Sequence, residues 1–536
     1  MSGPRDVTEL VTSAAEQRAD KLAVVEADGR GLTWRELEDQ VARTATGLGR
    51  HGVVAGHRVL IALGNRLEFI VAYLGVLRAQ AVAVPVNPTS TEDELVRMIA
   101  DSGSRLAVGD STTLPRLRPA VRRVLAARDH QDDAQLDADL VERSVPTRIV
   151  ALDEPAQEDE IGFADLTDGA STPVPPLLDP DKLAVLLYTS GTSGRPRAAM
   201  LSHRALLANL EQVGEVEPPM MHGDDVVLGV LPLFHVYGLN AVLGGVLWHR
   251  CKLVLVDRFD PEGVLDIIED EACSVIPVAP PAFAYWLPMD RLRERLGPVR
   301  LMLSGSAPLS LELIEKFNEA TGLPIHQGYG LTEASPVVTS TLCSAAPKRG
   351  SVGAALPGIE IRLVDESGHG APDGEDPGEI VIKGANLFAG YWPDGSGGVD
   401  EEGWWATGDV GFLDQDGDLF LVDRIKELII VSGFNVYPTE VEEVIKEVDG
   451  VREAAVIGVP DDDTGEAVVA FVRAEPGRDA ALVEADVRAQ CETRLARFKL
   501  PQRIEVVDEL PLTVTGKVRK GTLRATERRR RLDLLT

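Results

Sequence analysis

The sequence predicts an α/β protein. A large N-terminal domain of layered α/β sheets, with a small β-barrel-like part, spans residues 1–425, and a smaller α+β C-terminal domain spans residues 426–536. Three observations carry this expectation. The chain has 536 residues, more than one core organises at roughly 100–200 residues per domain. Helix and strand signals alternate along most of it, which argues for layers built on largely parallel sheets. After Arg424 the pattern changes to a compact unit with a long strand pair.

The elements follow in order. Thr33-Trp34-Arg35-Glu36 has capping-box spacing, and Leu37, Val41 and Leu48 continue it as an apolar helix face. Val59–Leu63 and Ala81–Val84 read as buried strands with a helix from Glu68 to Arg78 between them, a β-α-β unit. Residues 128–182 are polar, acidic and Pro-containing and read as a surface excursion. Lys252–Val256 is a strand, and Asp260-Pro261 opens a helix with Pro at its first position. Arg300–Leu303 is a strand, and a helix starts at Ser310. Glu379–Lys383 and Leu419–Val422 are short strands between Gly- and Asp-rich turns. A boundary falls near Lys426. Beyond it come a strand at Ile429–Val431, a helix at Pro438–Val448, a strand pair at Ala454–Val459 and Ala467–Arg473, and a helix at Ala481–Leu495. Arg528–Arg531 reads as a solvated helix end, and no internal repeat is visible.

Composition excludes several functions. Hydrophobic residues make 44% and charged residues 26%, as in soluble globular proteins. With 54 basic against 85 acidic residues the formal net charge is −31, which disfavours binding to nucleic acid or anionic lipid. The four cysteines, Cys251, Cys273, Cys343 and Cys491, have no metal-site or disulfide-framework spacing and read as free thiols. The N-terminus carries charges where a leader needs an apolar core, and no run reaches the ~18–20 apolar residues of a membrane span. The expected location is cytoplasmic.

Four segments bear chemistry. An apolar strand, Leu186-Leu187-Tyr188, runs into Thr189-Ser190-Gly191-Thr192-Ser193-Gly194-Arg195-Pro196-Arg197. Glycines let N–H groups approach a ligand, hydroxyls add donors and arginines add charge, which together suit a polyphosphate. A flexible surface loop is the alternative. Gly47–Gly52 matches G-x-G-x-x-G but ends a helical pattern instead of following a strand, so the dinucleotide reading fails. In Gln327-Gly328-Tyr329-Gly330-Leu331-Thr332-Glu333, the acid could hold Mg²⁺, which takes hard oxygen ligands and few from protein. It could equally be a turn acid. Asp409, in Trp405-Ala406-Thr407-Gly408-Asp409, could grip ribose hydroxyls or merely close a turn. Lys517, in Thr515-Gly516-Lys517, would by itself be a solvated side chain.

Together and in this order, these segments resemble the adenylate-forming superfamily, and within it the acyl-CoA synthetase and fatty acid–CoA ligase branch. Ser304-Gly305-Ser306-Ala307-Pro308-Leu309 resembles a further nucleotide-site segment. Asp423-Arg424-Ile425-Lys426-Glu427-Leu428-Ile429 resembles the hinge, and Pro511–Lys517 the catalytic-lysine motif. Two positions depart from the pattern: Arg197 stands where the family usually has Lys, and Ala198 where it has Gly.

The resemblance implies an acid–thiol ligase using ATP, Mg²⁺ and coenzyme A. A carboxylate attacks the α-phosphate, pyrophosphate departs, and a thiol then attacks the acyl-adenylate. It implies that Thr189, Ser190, Gly191, Thr192, Ser193, Gly194 and Arg197 hold the outer phosphates and that Glu333 binds Mg²⁺. Thr332 would contact the α-phosphate, Tyr329 and Gly330 would lie at the adenine, and Asp409 with Arg424 would lie at the ribose. Lys517 would be catalytic, Lys426 would be the hinge of a mobile C-terminal domain, and Gly433 would lie on the pantetheine path. His235, Gly305, Ser306, Ala307 and Gly328 would line the acid pocket, with Gly305, Ser306 and Ala307 leaving room for a tail. Val431–Glu442 resembles CoA ligases more than peptide-synthetase domains. Thirteen residues between Pro336 and Gly350 leave no room for the insertion typical of fatty acyl-AMP ligases. A medium- or long-chain fatty acid is the first expectation for the acid. An aryl acid, a carrier-protein acceptor and a non-catalytic paralogue are the alternatives. Loose membrane association through the acyl substrate and a homodimer stay open.

Overall fold

The computed structural model describes residues 3–129, 133, 136–189, 197–306, 309, 311–346, 348–364, 378–424, 429–436, 438–511, 518 and 520–531; at 410, 422–424, 435, 439, 521, 522, 525, 528, 529 and 531 only the backbone is described. Two seven-stranded, mainly parallel sheets form the N-terminal part. In one, the strand Leu183–Thr189 lies beside Val82–Pro85 and carries Arg197–Ser202 as an antiparallel edge. In the other, Val275–Val278, Leu301–Ser304 and Ile325–Gln327 run parallel at one side. Their C-terminal ends therefore open together, where ligands meet open α/β sheets.

Local signals explain the elements. Thr33 accepts from Glu36 N while Glu36 accepts from Thr33 N, so the expected capping box forms, and Trp34, Leu37, Val41 and Leu48 are buried beneath it. Asp260 caps Pro261–Asp270. Gly47–Gly52 closes the helix Trp34–Arg50, consistent with rejecting the dinucleotide reading. The surface excursion needs correction. Arg148–Ala151 enters the sheet parallel to Ser104–Gly109, and Ile161–Gly162 follows it at the edge. Ile149, Val150 and Ala151 are buried. An apolar run this short, between polar neighbours, carries little periodicity.

The barrel-like part is a four-stranded antiparallel sheet, Glu360–Val364, Gly378–Lys383, Trp404–Leu413 and Leu419–Arg424. Its last strand also bonds to Val352 and Gly353. The C-terminal unit has its own sheet, with Val451–Asp461 paired along its length to Gly465–Ala474, and its own core around Val456, Val468, Val472 and Ile445. The expected boundary at Lys426 lies outside the described residues. All four cysteines are free, and burial raises their thiol pKa values. Among the described residues no helix is long and apolar enough to cross a membrane.

Candidate active site

A cavity of about 610 Å³ opens at the C-terminal ends of these strands. Thr189, Arg197, His235, Gly305, Ser306, Gly328, Tyr329, Gly330, Thr332, Glu333 and Asp409 all line it. Residues separated by more than 200 positions thus meet in one place. Ser190, Gly191, Thr192, Ser193, Gly194, Ala307, Lys426 and Lys517 lie outside the described residues.

The phosphate-type loop is the connection of a hairpin. Thr189 pairs with Arg197 across the two antiparallel strands. Arg197 lies over the Tyr391 ring, its guanidinium carbon 3.9 Å from the centroid. Its Nη2 also donates to Ser396 Oγ at 3.4 Å. Ala198, the other departure, is fully buried with Ala199 in that strand.

The Gly-Tyr-Gly segment is pressed against its own return strand. A Cβ on Gly328 would lie 2.5 Å from Thr339 O, and one on Gly330 2.5 Å from Pro336 O. Glycine is required here by backbone against backbone. Between them Tyr329 is buried, and its hydroxyl donates to Asp409 Oδ2 at 2.6 Å. Asp409 pairs with Arg424 across the strands, which brings the two expected ribose residues together in register.

Thr332 and Glu333 begin a short 3₁₀ turn and are buried. Glu333 Oε1 accepts from the Tyr391 hydroxyl at 2.7 Å. Its Oε2 accepts no hydrogen bond among the described residues, so a carboxylate oxygen is available at the cavity. That fits Mg²⁺, a hard cation satisfied by one protein carboxylate plus substrate phosphates and water. Among the described residues no cluster of three or more His, Cys, Asp or Glu could hold a metal by protein ligands alone.

The apolar section of the wall is Val213, Met220, Met221, Val236, Ala241, Val242 and Leu303. Val213 sits on the helix His203–Gly214, Ala241 and Val242 on the π-helical stretch Tyr237–Gly244, and Leu303 on the strand Leu301–Ser304. Apart from Val236, which follows His235, no motif announces them, because isolated Val and Met residues carry no chemical signature. Burial alone lowers the His235 pKa to about 4. Its Nδ1 accepts from Tyr237 N at 3.3 Å, so the neutral ring carries its proton on Nε2. Gly305 lines the cavity, but the expected room beside it is filled. A Cβ there would lie 2.7 Å from Tyr237 Cε1, so the glycine accommodates that ring.

The C-terminal unit reaches this cavity. Ile430 and Pro438 contribute to its wall. Gly433 has φ +82°, and a Cβ there would lie 3.8 Å from Ala279 Cβ and 3.9 Å from Ser306 Cβ. A second cavity of about 590 Å³ lies between the two units, lined by Asn87, Thr89, Phe234, Asp257, Phe434, Arg497 and Phe498 among others. Phe434 stacks on Phe234 at 6.1 Å and on Phe498 at 4.7 Å.

The AMP-binding enzyme family model matches residues 11–392, and the AMP-binding enzyme C-terminal domain matches residues 440–517. The long-chain-fatty-acid–CoA ligase of Bacillus subtilis is 33% identical over 527 residues, covering 96% of this chain and 93% of that one. The 4-coumarate–CoA ligase-like 9 of Oryza sativa subsp. japonica is 34% identical over 535 residues, covering 97% and 92%. Among solved structures, o-succinylbenzoate CoA synthetase (MenE) of Bacillus subtilis bound with its product analogue OSB-NCoA aligns with a TM-score of 0.80 at 26% identity, covering 96% of this chain and 98% of that one. ATP-bound MatB of Rhodopseudomonas palustris aligns with 0.68 at 32% identity, covering 97% and 99%. The chain belongs to the AMP-binding enzyme family, in the acyl-CoA synthetase branch of the adenylate-forming superfamily, and is an AMP-forming acid–thiol ligase.

Proposed function

We propose that the enzyme activates a medium- or long-chain fatty acid as its acyl-adenylate and transfers the acyl group to CoA. The observation that carries this reading is the cavity itself. One continuous space joins a polar wall, with Thr332, Glu333 and Asp409, to an apolar wall, with Val213, Met220, Met221 and Val242. A polar head and an apolar tail fit those walls together.

The residues then take these roles. A carboxylate is a poor acyl donor because oxide would have to leave. Attack of its oxygen on the α-phosphorus of ATP breaks the bond to pyrophosphate and leaves AMP as the later leaving group. Thr189 and Arg197 face the outer phosphates, Thr332 the α-phosphate, and Tyr329 with Asp409 the nucleoside. Mg²⁺ held by Glu333 would neutralise charge on the departing pyrophosphate. Lys517 would supply a cation to the attacking carboxylate and the α-phosphate. Rate enhancement comes from positioning and from charge already in place. In the second step a thiolate attacks the acyl carbon and AMP departs.

The second cavity supports CoA as the thiol. Its aromatic stack suits a flat base, and Gly433 stands between it and the first cavity's Ser306 side. We propose that the C-terminal unit changes orientation by rotation about Lys426 between the two half-reactions. An aryl acid is the second reading, because the Tyr237 ring beside Gly305 offers a flat wall. Pyrophosphate release measured with fatty acids of graded length and with aryl acids, with and without CoA, tests this. Fatty acids should be turned over fastest, and thioester should appear only with CoA. Activity confined to aryl acids would sink the substrate assignment, and adenylate without thioester would sink the acceptor.

A further inference from the structure

We propose that Tyr391 is a positioning residue that fixes both phosphate-side groups at once, the Glu333 carboxylate through its hydroxyl and the Arg197 guanidinium through its ring face. None of the motifs contains Tyr391; it lies in Gly390-Tyr391-Trp392 and bridges to Ala199. Three contacts define its place. The hydroxyl donates to Glu333 Oε1 at 2.7 Å. The ring carries Arg197 at 3.9 Å. Its edge packs against Phe388, centroids 5.0 Å apart at 75°.

The backbone holds this constellation in register. Residues 389–392 run along the strand Arg197–Ser202 as an added partner. Met200 N donates to Gly390 O at 3.0 Å, Ala389 N to Met200 O at 2.9 Å and Trp392 N to Ala198 O at 2.8 Å. Phe388 N donates to Glu333 O at 2.9 Å. One short segment therefore ties the strand that follows the phosphate loop to the turn that carries Glu333.

The chemistry explains the arginine. A guanidinium is planar and stacks on an aromatic face, whereas an ammonium is a point charge on a flexible stem. Tyr391 gives Arg197 a surface to stack on where it lines the cavity. The same side chain occupies one oxygen of Glu333 with a charge-assisted bond, which stops the carboxylate rotating and leaves Oε2 as the oxygen for a cation.

This inference rests on the assignment of Glu333 to Mg²⁺ and of Arg197 to the outer phosphates, and the test separates the two. The full-length enzyme is titrated calorimetrically with a non-hydrolysable ATP analogue across a range of Mg²⁺ concentrations and in EDTA. Tyr391→Phe keeps the ring and removes the hydroxyl. It should raise the Mg²⁺ concentration needed for half-maximal enhancement of analogue binding by about ten-fold, the order for a lost hydrogen bond to a charged group, with binding in EDTA unchanged. Tyr391→Leu should also weaken analogue binding in EDTA, by about three-fold, through the lost ring face. Glu333→Gln should raise the Mg²⁺ requirement at least as far as Tyr391→Phe. If Glu333→Gln shifts the requirement and Tyr391→Phe leaves it within two-fold of wild type, the positioning role is overturned. If Glu333→Gln itself has no effect, the Glu333 assignment fails first. Circular dichroism confirms folding, and Tyr391→Phe, which conserves the ring, remains decisive if Tyr391→Leu does not fold.

Discussion

The two cavities are nearly equal in volume, about 610 and 590 Å³, but they are built differently. Among the described residues, nearly all of the first cavity's wall belongs to the N-terminal part, with only Ile430 and Pro438 added from the C-terminal unit. Sheet ladders and close glycine contacts fix that wall. The second cavity is divided between both units, and aromatic stacking and charge hold it. Lys499 bridges Glu94 of the N-terminal part and Glu440 of its own unit, at 2.8 Å to the latter. Arg494 Nε lies 2.8 Å from Asp93 Oδ2. The two carboxylates hold the Lys499 pKa above its usual value against the opposing effect of burial. A buried ion cluster returns about what its desolvation costs. An interface of this kind can specify one orientation without making departure from it expensive. A hydrogen-bonded sheet cannot do that, so the proposed division would seat activation where geometry must not change and thiol transfer where it must.

The comparison is broken most severely at the lysine that should serve only the first cavity. Lys517→Ala should lower acid-dependent pyrophosphate release by at least ~10²–10³-fold, the order for one aimed charge at a transition state. It should spare CoA thiolysis of supplied acyl-adenylate. Loss of both half-reactions would mean the two sites are not separable in this way.

The charge cluster gives the next largest effect, on the second cavity. Lys499→Ala leaves Glu94 and Glu440 facing each other without their cation. We expect the KM for CoA to rise by about ten-fold, less than the full cost of an orphaned buried charge because water can enter an interface. Pyrophosphate release in the first half-reaction should stay within two-fold of wild type. Steady-state kinetics with CoA as the varied substrate reads this, and an unchanged KM would show that the ion cluster does not hold the cleft.

The smallest effect concerns pH in the first cavity. Burial lowers the His235 pKa to about 4, so the ring is neutral from pH 6 to 8. The KM for the acid should show no inflection near the ordinary histidine value in that range. In the unfolded chain His235 takes up its proton near pH 6.5, whereas in the fold it does so only near 4. Its contribution to stability is therefore present above pH 6.5 and declines as pH falls from there to about 4. His235→Phe should flatten that part of a pH-dependent unfolding series, and an identical slope in the variant would contradict the burial argument.

The same division explains what the sequence makes legible. Periodicity and capping announce long elements such as Trp34–Arg50, because each satisfies local rules by itself. Thr332, Glu333 and Asp409 are singled out only by the order of several motifs together, since each acid alone reads equally well as a turn residue. Arg148–Ala151 is missed because a short edge strand borrows its stability from the neighbouring strand. Tyr391, Met220 and Met221 are missed because their meaning lies in what faces them. Gly305 reads as open space until Tyr237 is seen against it. Arg197 reads as a departure from the family's lysine until the ring beneath it is visible.

The central claim is that the acid is activated in one cavity and the thiol arrives through the other, past Gly433. Its φ of +82° suits glycine, and the Ala279 and Ser306 side chains lie just beyond the space a side chain would enter. The most direct measurement follows both half-reactions of Gly433→Leu in parallel, pyrophosphate release from acid and ATP beside thioester formation from preformed acyl-adenylate and CoA. Pyrophosphate release should remain within two-fold of wild type while thioester formation falls by at least about ten-fold, since no other residue offers the clearance of glycine. Thioester formation at the wild-type rate, in a variant whose circular dichroism matches wild type, would contradict the claim.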